Sequence, residues 1–158
     1  MIMKRRIKFS AIVVVVVLAL LQLANPSRIN PPVASDFIAA NTPPPRVAAL
    51  FRAACYDCHS NETKWPWYSR VAPFSWLVAH DVKEGRQHLN LSEWPQQFPD
   101  RAARRLDAIS EAVENGEMPM AKYTAIHADA RLTKEDRKLL TEWADAESDR
   151  VRPAAPAQ

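Results

Sequence analysis

CYDCHSN, running from Cys55 to Asn61, holds both cysteines of a 158-residue chain, with His59 directly behind the second. A disulfide across Cys55 and Cys58 would close a loop of two intervening residues and would constrain the unfolded chain little. A thioredoxin-like redox pair has the same spacing but expects a βαβ setting, which the sequence does not offer. Zinc asks for four ligands, and His80 and His88 are too widely spaced to complete a set with the two thiols. Covalent haem remains. Each thiol adds to one haem vinyl group, the two-residue spacing matches the vinyl separation, and the adjacent imidazole is placed to bind iron. The implied cofactor is one haem c, held by thioethers at Cys55 and Cys58 with His59 as proximal ligand.

The N-terminus agrees with that reading, because c-type haem is attached after export. KRRIK at residues 4–8 precedes FSAIVVVVVLALLQLA at residues 9–24, a basic patch followed by an apolar run. Sixteen residues at the helical rise span about 24 Å, a little short of the ~30 Å hydrocarbon core, and Ile7 and tilted flanks extend the reach. Ala24 suits the −1 position of a cleavage site, but Gln22 at −3 is poor, so residues 1–24 read as an uncleaved signal anchor. The positive-inside rule then keeps the N-terminal cations in the cytoplasm and exports everything after residue 25. The expected location is the bacterial inner membrane, single-pass, with the haem domain in the periplasm, or exported outright if the signal is cleaved.

Charge follows the same division. Residues 1–46 carry six basic side chains against Asp36 alone, while residues 47–150 hold more acidic than basic groups. The sequence pI of about 9.0 therefore belongs to the N-terminus, and nucleic-acid binding loses its electrostatic support. Two glycines against thirteen prolines argue for helices joined by Pro-punctuated loops rather than for strands and tight turns.

Residues 25–46, NPSRINPPVASDFIAANTPPPR, read as an extended Pro-rich tether. Four helices are expected beyond it. The first follows Pro43–Pro45, carries Val47, Leu50, Phe51 and Ala54 at helical spacing, and delivers the cysteines. A second opens with Pro73 at its first position, places Trp76, Leu77 and His80 on one face, and fades between Gly85 and Leu89. Next comes one that follows Pro99, presents Ala102, Leu106, Ile109 and Val113, and stops at Asn115–Gly116. The last starts at Thr133, with Asp136 completing a capping box. Residues 47–150 thus form a small all-α domain and residues 151–158 a disordered tail. Four short helices make a thin core. A buried planar cofactor would thicken it, walled by Trp65, Trp67, Tyr68, Trp76 and Trp94, with Lys64, Arg70 or Arg86 available to its propionates.

CYDCHSNETKWPWYS, followed by PFSWLVAHDVKEGRQHLNLSEW, the MP pair at Met118–Pro119 and LTKEDRKLLTEW, resembles the small bacterial haem-binding domain family of single-pass exported proteins. The arrangement of CxxCH, a GEMP loop and an aromatic-bearing C-terminal helix is also similar to class I cytochromes c. The resemblance covers about residues 47–147 and implies haem c attachment in a cytochrome c-like helical domain. It also implies that the second axial ligand is a methionine in the loop before the last helix, which here is Met118. Met120, His80 and His127 are the alternatives.

Two functions follow. One is a membrane-anchored monohaem electron carrier, an expectation strengthened by the lack of a nucleophile–base set, a phosphate loop or paired carboxylates. The other is a haem enzyme, or a sensor of gas or peroxide, with an open iron. A haem subunit of a larger membrane complex would differ from the first in partner rather than chemistry. Redox partner proteins are expected, and the membrane is met through the N-terminal helix.

Overall fold

The computed structural model describes residues 2–153, with side chains from residue 5 onward; Met1 and residues 154–158 lie outside them. Helices account for the fold, and among the described residues the β-pairing is one isolated parallel bridge between Ser35 and Glu93. The helices are α1 (Ile2–Leu21), α2 (Phe37–Asn41), α3 (Pro45–Ala54), α4 (Tyr56–His59), α5 (Phe74–His88), α6 (Pro99–Glu114), α7 (Ala121–Thr124) and α8 (Lys134–Val151). Single 3-10 turns occupy Gln22–Ala24, Trp67–Arg70 and Ala128–Ala130.

The local chemistry sets the ends of the long helices. Pro45 and Pro99 stand at the first positions of α3 and α6, where a missing N–H costs nothing. Thr133 caps α8: its hydroxyl accepts from Asp136 N, and the Asp136 carboxylate accepts in return from Thr133 N. Gly116, at φ +73, lies in the left-handed region just beyond α6, as a glycine stop requires.

α6 and α8 pack along their length. Ala102, Ala103, Leu106, Ile109 and Val113 meet Leu140 and Ala144, and the alanines let the backbones approach closely. Ser148 fastens the pair by donating to Asp107 Oδ1 at 2.6 Å. At the centre, Phe37 sits 4.7 Å from both Phe51 and Trp94 and 5.8 Å from Trp143, ring centroid to ring centroid and edge-on or tilted.

Phe37 lies in the stretch expected to be a tether. That segment is instead part of the domain along its length: Arg28 and Asn30 bond Ser69 O and Thr63 O, and Asn61 bonds Pro32 O. Asp36 caps α2 by accepting from Ala39 N, and its other oxygen accepts from Tyr56 Oη at 2.7 Å. The backbone pairs with the loop after α5: Ala34 and Ser35 donate to Ser92 O, Phe37 to Leu91 O, and Trp94 N returns a bond to Ser35 O. The physical reason is the thin core. An aromatic ring that is fully buried contributes about 1.5–3 kcal/mol, which adds to the backbone bonds with Leu91, Ser92 and Trp94 and to the Asp36–Tyr56 bond in offsetting the cost of ordering the segment.

α5 ends at His88, within the stretch where it was expected to fade, but Pro73 precedes its first residue, Phe74, instead of opening the helix. The face carrying Trp76, Leu77 and His80 is the exposed one; Ser75, Val82 and Gly85 are buried. At the other end of the chain, Val151 is still helical and Arg152 pairs with Asp107 at 2.8 Å. Residues 154–158 of the expected disordered tail fall outside the described residues.

α1 carries a window from Arg5 to Ala24 that is long and apolar enough to cross a membrane, none of it buried by the rest of the protein. Its end is fastened to the domain. Gln22 bonds both the N–H and the carbonyl of Ala72, Trp76 Nε1 donates to Ala24 O at 2.7 Å, and Arg28 donates to Ser69 O.

Candidate functional site

α3 ends at Ala54, and the chain makes one further turn. Cys58 N and His59 N both donate to Cys55 O, at 3.2 and 2.9 Å. Helical spacing then puts Cys55 and His59 four apart on one face, where both line one cavity, while Cys58 turns toward another. The two thiols are not joined to each other. Burial pushes the Cys55 thiol up to about 12 and the Cys58 thiol to about 11. These groups are protonated at neutral pH, the opposite of an activated redox pair.

His59 is held through one nitrogen. Its Nδ1 lies 2.9 Å from Gly85 O and 3.1 Å from Leu89 O. Carbonyl oxygens only accept, so Nδ1 carries the proton and the lone pair resides on Nε2. Burial lowers the basicity of the ring, which keeps it neutral. A neutral imidazole with its far nitrogen pinned to backbone is the form that binds a metal.

Cys55 and His59 line a cavity of about 340 Å³ whose walls include Leu91, Ile109 and Val113. Met118 lines the same cavity. Its loop is fixed at both ends of the residue, since Met118 N donates to Ala112 O and Met118 O accepts from Arg137. Arg105 lines the cavity too, and its Nη1 is buried without a hydrogen-bond partner among the described residues. Burial, and then the nearby Arg101, hold its pKa below the usual range. A half-buried cation with an orphaned Nη1, lining a cavity with thiol, imidazole and thioether groups, fits an acidic, iron-bearing macrocycle.

The other candidate ligands fall elsewhere. Met120 and His127 line a second cavity of about 470 Å³, together with Cys58. Both nitrogens of His127 are engaged: Nδ1 faces Tyr123 O at 3.0 Å, so Nε2 accepts from Tyr68 Oη at 3.1 Å. His80 is exposed and lines neither cavity. Trp94 packs in the aromatic core, Trp65 donates to Asn30, and Trp67 and Trp76 are exposed; none of them walls the first cavity.

Arg86, one of the residues considered for propionates, is engaged in structure. It donates to Ser60 O, Thr63 Oγ1, Asn30 Oδ1 and Ile29 O. Lys64 and Arg70 are exposed. Arg105, which no sequence motif singled out, is the cation that lines the first cavity, and one signal did mark it. It lies three residues after Ala102 and four before Ile109, a cation on the edge of an apolar stripe.

A family model described as a haem-binding domain matches residues 15–146. Comparisons with curated proteins and with solved structures give no match. The match spans most of the sequence and contains the CxxCH turn, Arg105 and Met118, so the chain belongs to the haem-binding domain family.

Proposed function

We propose that the chain is a monohaem c-type electron carrier, anchored by residues 1–24 in the bacterial inner membrane and facing the periplasm. Cys55 and Cys58 would hold the haem through thioethers, and His59 and Met118 would offer the iron a nitrogen and a sulfur. The observation that carries the reading is the first cavity, where His59 is fixed by two backbone carbonyls beside Cys55, Met118 and the unpaired Arg105.

Bound there, haem c supplies a one-electron iron couple. His59 keeps its tautomer and orientation because Gly85 and Leu89 hold Nδ1, a backbone partner that makes the imidazole a better donor. Met118 offers a thioether, which favours the reduced state relative to a second histidine. Arg105 pairs with a propionate and so gains the partner it lacks. Leu91, Ile109 and Val113 keep water away from the centre of the cavity. Fixed positions for His59 and Met118 would suit electron exchange, which asks for little rearrangement.

The open-iron alternative would leave the iron without Met118, yet Met118 lines the same cavity as His59. Of the two histidines considered for a distal role, His80 is exposed and His127 has both nitrogens engaged, so electron transfer is the better-supported function.

The test is the protein matured in a host that attaches haem c. Covalent haem should survive a denaturing gel, and Cys55→Ala/Cys58→Ala should abolish it. The oxidised protein should be low-spin with the weak red band of methionine ligation, lost in Met118→Ala. Exported protein without covalent pigment would overturn haem c attachment, and high-spin iron that binds carbon monoxide readily would overturn electron transfer.

A further inference from the structure

Trp67, Phe74, Leu77 and Ile126 are large apolar side chains with 77%, 56%, 47% and 65% of their surface exposed. Together with Val71 they line the second cavity, so they form one contiguous surface and not scattered exceptions. A patch of this kind marks a surface that meets something apolar.

Its position identifies the occupant. Gln22, at the end of the apolar helix, clasps the backbone of Ala72 from both sides. Ala72 is flanked by Val71 and by Pro73–Phe74, so the patch begins one residue away from that clasp. Trp76 Nε1 bonds Ala24 O and Arg28 bonds Ser69 O, pinning the same segment twice more. Wherever α1 leaves a bilayer, this surface is held beside the point of exit.

We propose that the surface formed by Trp67, Val71, Phe74, Leu77 and Ile126 rests in the interfacial layer of the membrane that α1 crosses. The inference builds on the anchor reading above. The composition suits that layer: tryptophan settles where acyl chains meet headgroups, with a polar edge left for water. Arg70, exposed on the same turn as Trp67, suits anionic headgroups. The Lys122–Asp81 ion pair at 2.7 Å lies on the polar edge of the cavity.

The test uses the full haem-loaded chain in phospholipid nanodiscs. Benzoylphenylalanine is installed, one position at a time, at Phe74, at Ile126, at Val15 within α1, and at exposed Glu142 on α8. After illumination, adducts are read by mass spectrometry, with the haem spectrum confirming that each variant is folded. Phospholipid adducts are expected at Phe74, Ile126 and Val15, and none at Glu142. Lipid adducts at Val15 with none at Phe74 and Ile126 would overturn the proposal and leave the anchor standing. So would Phe74 joined to a second copy of the chain or to another protein. No adduct at any of Val15, Phe74 and Ile126 would overturn the anchor reading and the surface together.

Discussion

Gly85 and Cys58 meet backbone to backbone: a Cβ on residue 85 would lie 2.5 Å from the Cys58 carbonyl oxygen and 3.0 Å from its carbonyl carbon. The same glycine offers its own carbonyl to His59 Nδ1 at 2.9 Å. α5 therefore seats directly on the CxxCH turn and steers its imidazole.

Gly85→Ala should be harmful. In a free helix alanine is the better residue by about 1 kcal/mol. Here the methyl group meets backbone that cannot step aside, and overpacking costs about 1–3 kcal/mol. The variant is expected to have a lower denaturation midpoint and a reduced yield of covalent haem, measured by urea unfolding and by haem staining.

Arg105→Met separates the two states of the protein. In the haem-free chain it removes a buried donor without a partner, a defect worth about 1–3 kcal/mol, so urea resistance should rise. In the loaded protein it removes a positive charge near the iron. The reduction potential should fall, because a nearby cation favours the less positive iron. Voltammetry of the two proteins provides the check.

Phe37→Ala tests whether the segment before α3 belongs to the domain. Emptying that fully buried site should cost about 3–5 kcal/mol, as large aromatic truncations in cores do. A loose tether would give no change in the unfolding midpoint.

Asp136 links stability to pH. Its carboxylate accepts from Thr133 Oγ1 at 2.9 Å and from Thr133 N at 3.1 Å, and it meets Arg46 at 2.6 Å. These contacts, the Thr133 hydroxyl foremost, hold it below the usual carboxylate range despite burial. The folded pKa lies below the unfolded one, so the contribution is full above the ordinary value of 3.8 and is lost as pH falls through the folded value. Asp136→Asn should cost about 1–3 kcal/mol at neutral pH. The gap to the unaltered protein should close below about pH 4, as read from urea unfolding across the pH range.

The sequence made some of this legible and hid the rest for physical reasons. Pro45, Pro99, Asn115–Gly116 and the Thr133–Asp136 box are local signals, and each marks a helix end where it was expected. The CxxCH turn is equally local. α2 spans Phe37–Asn41, too short for periodicity to register, and its stability comes from tertiary burial. Periodicity grouped Trp76, Leu77 and His80 on one face of α5 but is silent on which face turns inward. Gly85 looked like a weak point in a helix because its neighbour, Cys58, comes from a distant part of the chain. Arg105 became a candidate only once α6 was folded against the cavity that holds His59.

The bonds from Gln22, Arg28 and Asn30 into the domain carry one more consequence. A loose chain as long as residues 25–46 would let its cargo roam roughly 25 Å, like a boat on a mooring line. This one is lashed to the quay. With α1 in a bilayer, the domain stays at one fixed height, and on the proposed function its redox partners would have to come alongside.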